Sequence, residues 1–189
     1  MRAIHHSPEE EKMDTNAIVN RLMRVLRFDA SVYREVAADN NAMPQAGIIV
    51  TLAAIIAALG FAGTSFTLVI VSAVASIVGF FVYAAVATGI SRALFQGKTN
   101  FNEMGRTLGY AYGWYAVGIL RLIPGIGGLL AWLGQIVAAI AGIIALRESA
   151  EFDTVKAVIT VVIAAIVAGL ISFCAVGPLL GIIGLAGAR

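Results

Sequence analysis

Long apolar runs are the feature that most limits what this chain can fold into. Four segments, residues 45–61, 66–90, 128–146 and 158–176, contain no Asp, Glu, Lys or Arg, and a helix needs about 20 apolar residues to cross the hydrocarbon core of a bilayer. The chain is 60% hydrophobic and 13% charged, whereas an average soluble domain is about 25% charged. So much apolar surface cannot be hidden in a soluble globule of this size, and the sequence therefore predicts an integral membrane protein.

A fifth crossing is predicted over residues 107–123, which are rich in Gly, Tyr and Trp and are bracketed by Arg106 and Arg121. Aromatic residues at such a position are typical of a membrane interface or of helix packing. The predicted fold class is an all-α integral membrane protein, a five-helix transmembrane bundle over residues 45–189. The apolar stretch after Pro178 is too short to cross alone, and it is either a continuation of the last helix or an interfacial cap.

The N-terminal region has a different pattern. Residues 1–15 are predicted to be a polar tail, and residues 16–38 an amphipathic helix, because apolar residues there recur at spacings of three, four or seven. Such a helix suits the headgroup layer of a bilayer. Its apolar face could equally pack on another protein or on this protein's own bundle, and the sequence does not separate these alternatives.

The placement of Lys and Arg predicts the orientation. Five crossings put 11 of these residues on the N-terminal side of the membrane and 2 on the other side. Cytoplasmic loops are enriched in Lys and Arg, so the N-terminus is expected in the cytoplasm and the C-terminus outside. If residues 107–123 did not cross, Arg147 and Lys156 would fall on the outer side.

The sequence offers little for catalysis or metal binding. The predicted spans lack ionisable residues near their centres, and their serines have no His or Lys partner in sequence that could activate them. His5 and His6 are adjacent but have no third ligand nearby, and Cys174 is the only cysteine. We expect no enzymatic activity and no cofactor or metal. The net charge of +2, without a basic patch, argues against nucleic acid.

Two groups of residues are candidates for interaction. Small residues at helical spacing let helix backbones approach closely in lipid, and they predict either packing within the bundle or a face for another membrane subunit. Charged residues in the inner links are either solvated helix ends or a docking patch on the inner face. The small residues are Gly109, Gly113, Gly134, Ala138 and Gly142. The charged residues are Arg92, Glu103, Arg106, Arg147 and Glu148.

Several local sequences resemble one family. Five of them are similar to the Yip (Ypt-interacting protein) domain family, in its prokaryotic branch. They are residues 101–111 (FNEMGRTLGYA), the proline turn at Pro124, residues 145–148 (ALRE), residues 153–157 (DTVKA), and Phe28-Asp29-Ala30 followed by Tyr33. The resemblance covers roughly residues 20–175 and rests on the order of these features. The aspartate-leucine and glycine-proline signature of eukaryotic members is absent, so the resemblance does not extend to their Rab GTPase partners.

The resemblance implies a non-enzymatic membrane scaffold or adaptor whose partners are the lipid bilayer and other membrane protein subunits. Two other functions stay open. The chain could be an accessory subunit of a larger membrane complex, for example a bioenergetic one, or it could form a pathway for a small solute or an ion. A polar cavity at mid-bilayer depth would favour a pathway, and co-purification in fixed stoichiometry would favour an accessory role.

Overall fold

The computed structural model of the protein describes residues 15–63 and 65–187, and this part of the chain is helical with short links. The polar tail lies almost wholly outside the described residues, as do His5 and His6. In chain order the elements are α1 (Thr15–Leu26), α2 (Ser31–Ala38), α3 (Ala42–Ala62), α4 (Phe66–Phe95), α5 (Phe101–Ala111), a 3₁₀ segment (Tyr112–Leu122), α6 (Gly127–Ala150) and α7 (Thr154–Gly187).

Four of these helices, α3, α4, α6 and α7, are long and apolar enough to cross a membrane. They coincide with the four charge-free runs of the sequence. Pro178 lies inside α7, which continues to Gly187. The stretch after this proline therefore continues the last helix, which is one of the two alternatives the sequence left open.

The remaining predicted span, residues 107–123, is not a single α-helix. It begins within α5 and continues as the 3₁₀ segment, so residues 15–63 and 65–187 contain four apolar α-helices of spanning length rather than the predicted five. Glycine and aromatic residues are weak α-helix formers, and Gly113 and Gly118 lie among five aromatic or β-branched residues in the 3₁₀ segment. At about 1.5 Å rise per residue in an α-helix and about 2.0 Å in a 3₁₀-helix, α5 and the 3₁₀ segment together extend about 38 Å.

The glycines of this segment fix its direction against α3. A β carbon at Gly105 would meet Met43, one at Gly109 would meet Ala46, and one at Gly118 would meet Ala57. Later positions in α5 and the 3₁₀ segment thus contact later positions in α3. The two therefore run parallel for most of the length of α3. The 3₁₀ segment also packs against α6, α4 packs against both α3 and α7, and α6 packs against α7, which closes a ring of five chain segments.

Large apolar side chains lie mainly on the outside of this ring. Phe66 is 77% exposed and Phe173 is 74% exposed, whereas the buried core of α3 consists largely of alanines such as Ala46, Ala53 and Ala54. In lipid, helices associate through close packing of small residues, because lipid tails are as apolar as leucine. The distribution is the one expected of a bundle surrounded by hydrocarbon.

The segment predicted as one amphipathic helix, residues 16–38, forms two helices. The chain turns between α1 and α2, where Phe28 has a φ of 58°. Val32, Tyr33 and Val36 of α2 are fully buried, and α2 packs against α5 and α6. The apolar face of α2 therefore lies on this protein's own bundle. We call the end of the bundle that carries α1 and α2 the proximal end, and the opposite end, where α3 ends and α6 begins, the distal end.

Candidate functional site

A network of ion pairs at the proximal end joins α1 to α2. Arg21 Nε lies 2.8 Å from Glu35 Oε1, and its Nη1 lies 2.8 Å from Asp39 Oδ2. Arg24 donates to the other oxygen of Glu35 at 2.6 Å and to Asp29 Oδ2 at 2.9 Å. Glu35 thus accepts from both arginines, a charge-assisted arrangement that holds the two helices in one geometry.

The same network reaches into the bundle through Gln45, near the start of α3. Arg21 Nη1 and the Tyr110 hydroxyl of α5 both donate to Gln45 Oε1, at 3.0 and 2.5 Å. Nearby, Arg106 Nη1 donates to Asn40 Oδ1 at 2.9 Å, and its Nη2 donates to the carbonyl of Ala37. These bonds connect α1, α2, α3 and α5 at one level of the bundle.

The carboxylates of the network are ionised at neutral pH. Hydrogen bonds from Arg24 and Arg21 lower the pKa of Glu35. Hydrogen bonds from Ser31 and then from Arg24 lower the pKa of Asp29 from 3.8 to about 2. The arginine and serine donors stabilise the ionised form of each carboxylate. The ion pairs therefore stay intact over the physiological pH range.

One side of α1 is left uncovered by the bundle. Val19, Met23 and Leu26, at helical spacings of four and three, are 53%, 47% and 44% exposed. The neighbouring side faces inward, where Leu22 lies against Gly113. Just past α1, Phe28 stacks on Trp114 with ring centroids 5.6 Å apart. We call Val19, Met23 and Leu26 the outward stripe of α1.

The structure uses most of the predicted inner-face residues to hold the proximal end together. Glu103 forms a capping box with Asn100 at the start of α5, and Arg106 is 4% exposed. Arg34 of α2 pairs with Glu148 at 2.9 Å, and Glu148 also pairs with Arg147. These four predicted residues make intramolecular contacts, whereas Arg92, the fifth, lies exposed at the end of α4.

The predicted small residues divide into two groups. Gly109 and Gly113 face Ala46 and Leu22, and a β carbon at Gly134 would overlap Val117 of the 3₁₀ segment. These three glycines mediate packing within the bundle. Ala138 and Gly142 instead line a cavity of about 350 Å³ that lies between α4, α5, the 3₁₀ segment, α6 and α7.

Neither the arginine–carboxylate network nor the cavity was recognised from the sequence. Arg21 and Glu35 are 14 residues apart and meet only because the chain reverses between them, and Phe28 carries no glycine-like signal of that turn. The capping box could be predicted from the sequence, because Asn100 and Glu103 are three residues apart at the start of a helix. Within the described part of the chain, no three His, Cys, Asp or Glu residues come together as metal ligands, and Cys174 is exposed with a free thiol.

Comparison with known proteins identifies a family for this chain. Neither the curated proteins nor the solved structures include a significant match to this chain. The model of the Yip1 domain family matches residues 23–176. This range begins within α1, after Arg21, and ends in the apolar part of α7. It includes Arg24, the three carboxylates of the network and all five segments of the ring. The resemblance to the Yip domain family is thereby confirmed, and the chain belongs to the Yip1 domain family.

Proposed function

We propose that this Yip1-domain protein is a non-enzymatic membrane scaffold that holds another membrane protein against its proximal end. The observation that carries the proposal is the outward stripe of α1. It is an apolar face on a helix that the ion pairs of Arg21 and Arg24 fix in place. A face held in one geometry costs less conformational entropy on binding than a mobile one.

The charges of α1, α2 and the residues next to them favour a protein partner over an anionic lipid surface. Four arginines, Arg21, Arg24, Arg27 and Arg34, stand beside three carboxylates, Asp29, Glu35 and Asp39. Arg21 and Arg24 between them pair with all three carboxylates. Arg34 pairs with Glu148. Little positive charge remains for lipid headgroups, whereas an apolar stripe at spacings of three and four suits a groove or a second helix.

The proposal includes five crossings and a cytoplasmic proximal end. It is supported by the parallel course of α3 and of the 22-residue stretch formed by α5 and the 3₁₀ segment, since about 38 Å exceeds the roughly 30 Å hydrocarbon core. It is also supported by charge. Among the described residues, every Lys and Arg except Arg121 lies toward the proximal end, which is the distribution of a cytoplasmic face. We propose a cytoplasmic membrane as the location of the scaffold, which is what the resemblance to the prokaryotic branch of the family implies.

Co-purification tests the scaffold. The full-length protein is extracted from its native membrane in a mild detergent, and the co-purifying membrane proteins are quantified for wild type and for the double variant Met23→Ser/Leu26→Ser. We expect a partner in constant ratio to the wild-type protein and its loss from the variant, because serine removes apolar surface from the outward stripe without disturbing the ion pairs.

A matched control uses an outward face of α4. Ile70 and Val74 are 47% and 54% exposed, close to the values in α1, so Ile70→Ser/Val74→Ser removes similar apolar surface elsewhere. This control should keep the partner. Loss of the partner from both variants, or the absence of any protein in constant ratio to wild type, would contradict the proposal.

A further inference from the structure

Two cavities adjoin inside the ring of helices. The distal cavity has a volume of about 240 Å³ and lies between α3, α4, the 3₁₀ segment and α6. The central cavity, of about 350 Å³, lies deeper. Tyr115 and Gln135 line both. The two spaces therefore adjoin, one toward the distal end and the other toward the middle of the bundle, and we call them together the cleft.

The distal cavity is polar at its opening. Arg121 lines it, and the guanidinium lies 5.8 Å from the ring of Phe61. Among the described residues, Arg121 is the only Lys or Arg at the distal end, and none of the ion pairs of the described chain includes it. The positive charge at the mouth of the cleft is therefore available to an anion.

A buried hydroxyl in the same cavity has no partner. Ser72 lines the distal cavity, and its Oγ is buried without a hydrogen bond to any described residue. Buried polar groups in native proteins are nearly always hydrogen-bonded, so an unpaired one needs an explanation. Rotation of this side chain toward the cavity would let the hydroxyl donate to an acceptor oxygen of a ligand there.

The central cavity is mostly apolar and is lined by small residues on one side. Ala138 and Gly142 of α6 face it together with Phe80 and Leu108. A β carbon added at Gly142 would meet no atom within 4 Å, although the residue itself is buried. The small residues of α6, Gly134, Ala138 and Gly142, therefore have different surroundings along the helix. Gly134 contacts the 3₁₀ segment, whereas Ala138 and Gly142 border an open space.

We propose that this cleft binds one anionic phospholipid of the distal leaflet, with the phosphate at Arg121 and an acyl chain in the central cavity. The order of polarity along the cleft matches the order along such a lipid, because the headgroup lies at the surface and the hydrocarbon lies at depth. Arginine is well suited to phosphate oxygens, which it binds through two parallel hydrogen bonds. The proposal is independent of the scaffold function, which concerns the opposite end of the bundle.

Thermal unfolding with added lipid tests the proposal. The full-length protein is purified in a non-ionic detergent and depleted of native lipid. Its Tm is then measured with dioleoylphosphatidylglycerol, with dioleoylphosphatidylcholine and with inorganic phosphate. A ligand that binds the folded state raises Tm by mass action. We expect the largest rise with phosphatidylglycerol and none with phosphate alone, since phosphate lacks the acyl chain.

Two variants address the two ends of the cleft. Arg121→Gln should abolish the preference for phosphatidylglycerol over phosphatidylcholine, and Gly142→Leu should abolish the rise with either lipid by filling the central cavity. The controls are Arg27→Gln, which removes an arginine from the proximal end, and Gly89→Leu, which adds the same bulk at an exposed glycine with open space around it. Both controls should respond to phosphatidylglycerol as wild type does.

A second measurement covers variants that fold poorly. Bound phospholipid per protein is quantified by native mass spectrometry for wild type, Arg121→Gln and the smaller change Ala138→Val. We expect one retained phosphatidylglycerol in wild type and less in both variants. Equal effects of the two lipids, an equal rise with phosphate alone, or unchanged lipid retention in Arg121→Gln would overturn the proposal.

Discussion

Gly109 lies so close to Ala46 that a β carbon at position 109 would come within 2.7 Å of the β carbon of Ala46. This contact lets α5 and α3 run side by side with their backbones nearly touching. Between helices in lipid, such proximity gains dispersion energy that larger side chains would prevent. It also means that any side chain at position 109 must displace α3.

We therefore predict that Gly109→Leu destabilises the protein. Overpacking a tight interface costs about 1–3 kcal/mol, and the cost here should lie at the upper end because the obstructing atoms include the Ala46 backbone. The measurement is the Tm of the purified protein in detergent. Gly89→Leu is the matched control, since the same change there meets open space and should leave Tm nearly unchanged. Equal Tm values for the two variants would show that α5 does not pack closely on α3.

The four apolar helices could be predicted because about 20 consecutive apolar residues allow little else in a membrane protein. The form of the segment between α4 and α6 could not be predicted in the same way. Gly118 of its 3₁₀ part lies against Ala57 of α3, and Val117 lies against Gly134 of α6. The contact with α3 joins residues that are far apart in the sequence. Hydropathy describes each segment alone, whereas this one takes its shape from its contacts.

The candidate site was predictable only in part for a related reason. Val25 and Val32 are seven residues apart, a spacing that continues one helical face and therefore hides the turn at Phe28. The small residues of α6 show a second limit. Gly134 and Gly142 follow the same spacing rule, yet one contacts Val117 and the other borders a cavity. The pattern identifies the face of the helix but not whether a neighbour fills the space beside it.

The number of crossings gives a second prediction. With Cys174 replaced by Ala, single cysteines are introduced at Lys98, in the link before α5, and at Ile126, just after the 3₁₀ segment. If α5 and the 3₁₀ segment cross the membrane, a membrane-impermeant maleimide should label these two positions from opposite sides. Ser65→Cys, after α3, is the control for the distal side and should label together with Ile126→Cys. Labelling of Lys98→Cys and Ile126→Cys from the same side would reduce the crossings to four.

The C-terminus of α4 gives a third prediction. Gln96 ends this helix in the left-handed conformation, with a φ of 55° and a ψ of 34°. Glycine adopts this conformation without the steric cost of a β carbon and is the preferred residue there. We expect Gln96→Gly to raise stability by up to about 1 kcal/mol, and Gln96→Val to lower it, because a β-branched residue is a poor fit at positive φ. Thermal unfolding of both variants checks the sign, and the same direction of change in both would contradict the conformational argument.

The ion pairs of the proximal end give the last prediction, which concerns pH. A carboxylate whose pKa is lowered by folding stabilises the folded state above its ordinary pKa, and this contribution disappears as the pH falls toward the lowered value. The pKa of Asp29 is lowered from its ordinary value of 3.8 to about 2. The pKa of Glu35 is lowered from its ordinary value of 4.5. The attachment of α1 should therefore be unchanged above about pH 5 and weaken progressively below about pH 4.

Trp114 reports this attachment, because Phe28 stacks on its ring. With Trp132 replaced by Phe, Trp114 is the only tryptophan left in the chain. Its quenching by iodide should be low at neutral pH and increase below pH 4 as α1 separates from the bundle. Glu35→Gln should increase the quenching already at neutral pH, since both arginines lose a charged acceptor. Glu151→Gln, which removes a carboxylate from the exposed pair with Lys98, should leave it unchanged. Quenching that does not change with pH, or that is the same in wild type and Glu35→Gln, would show that these ion pairs do not hold α1 in place.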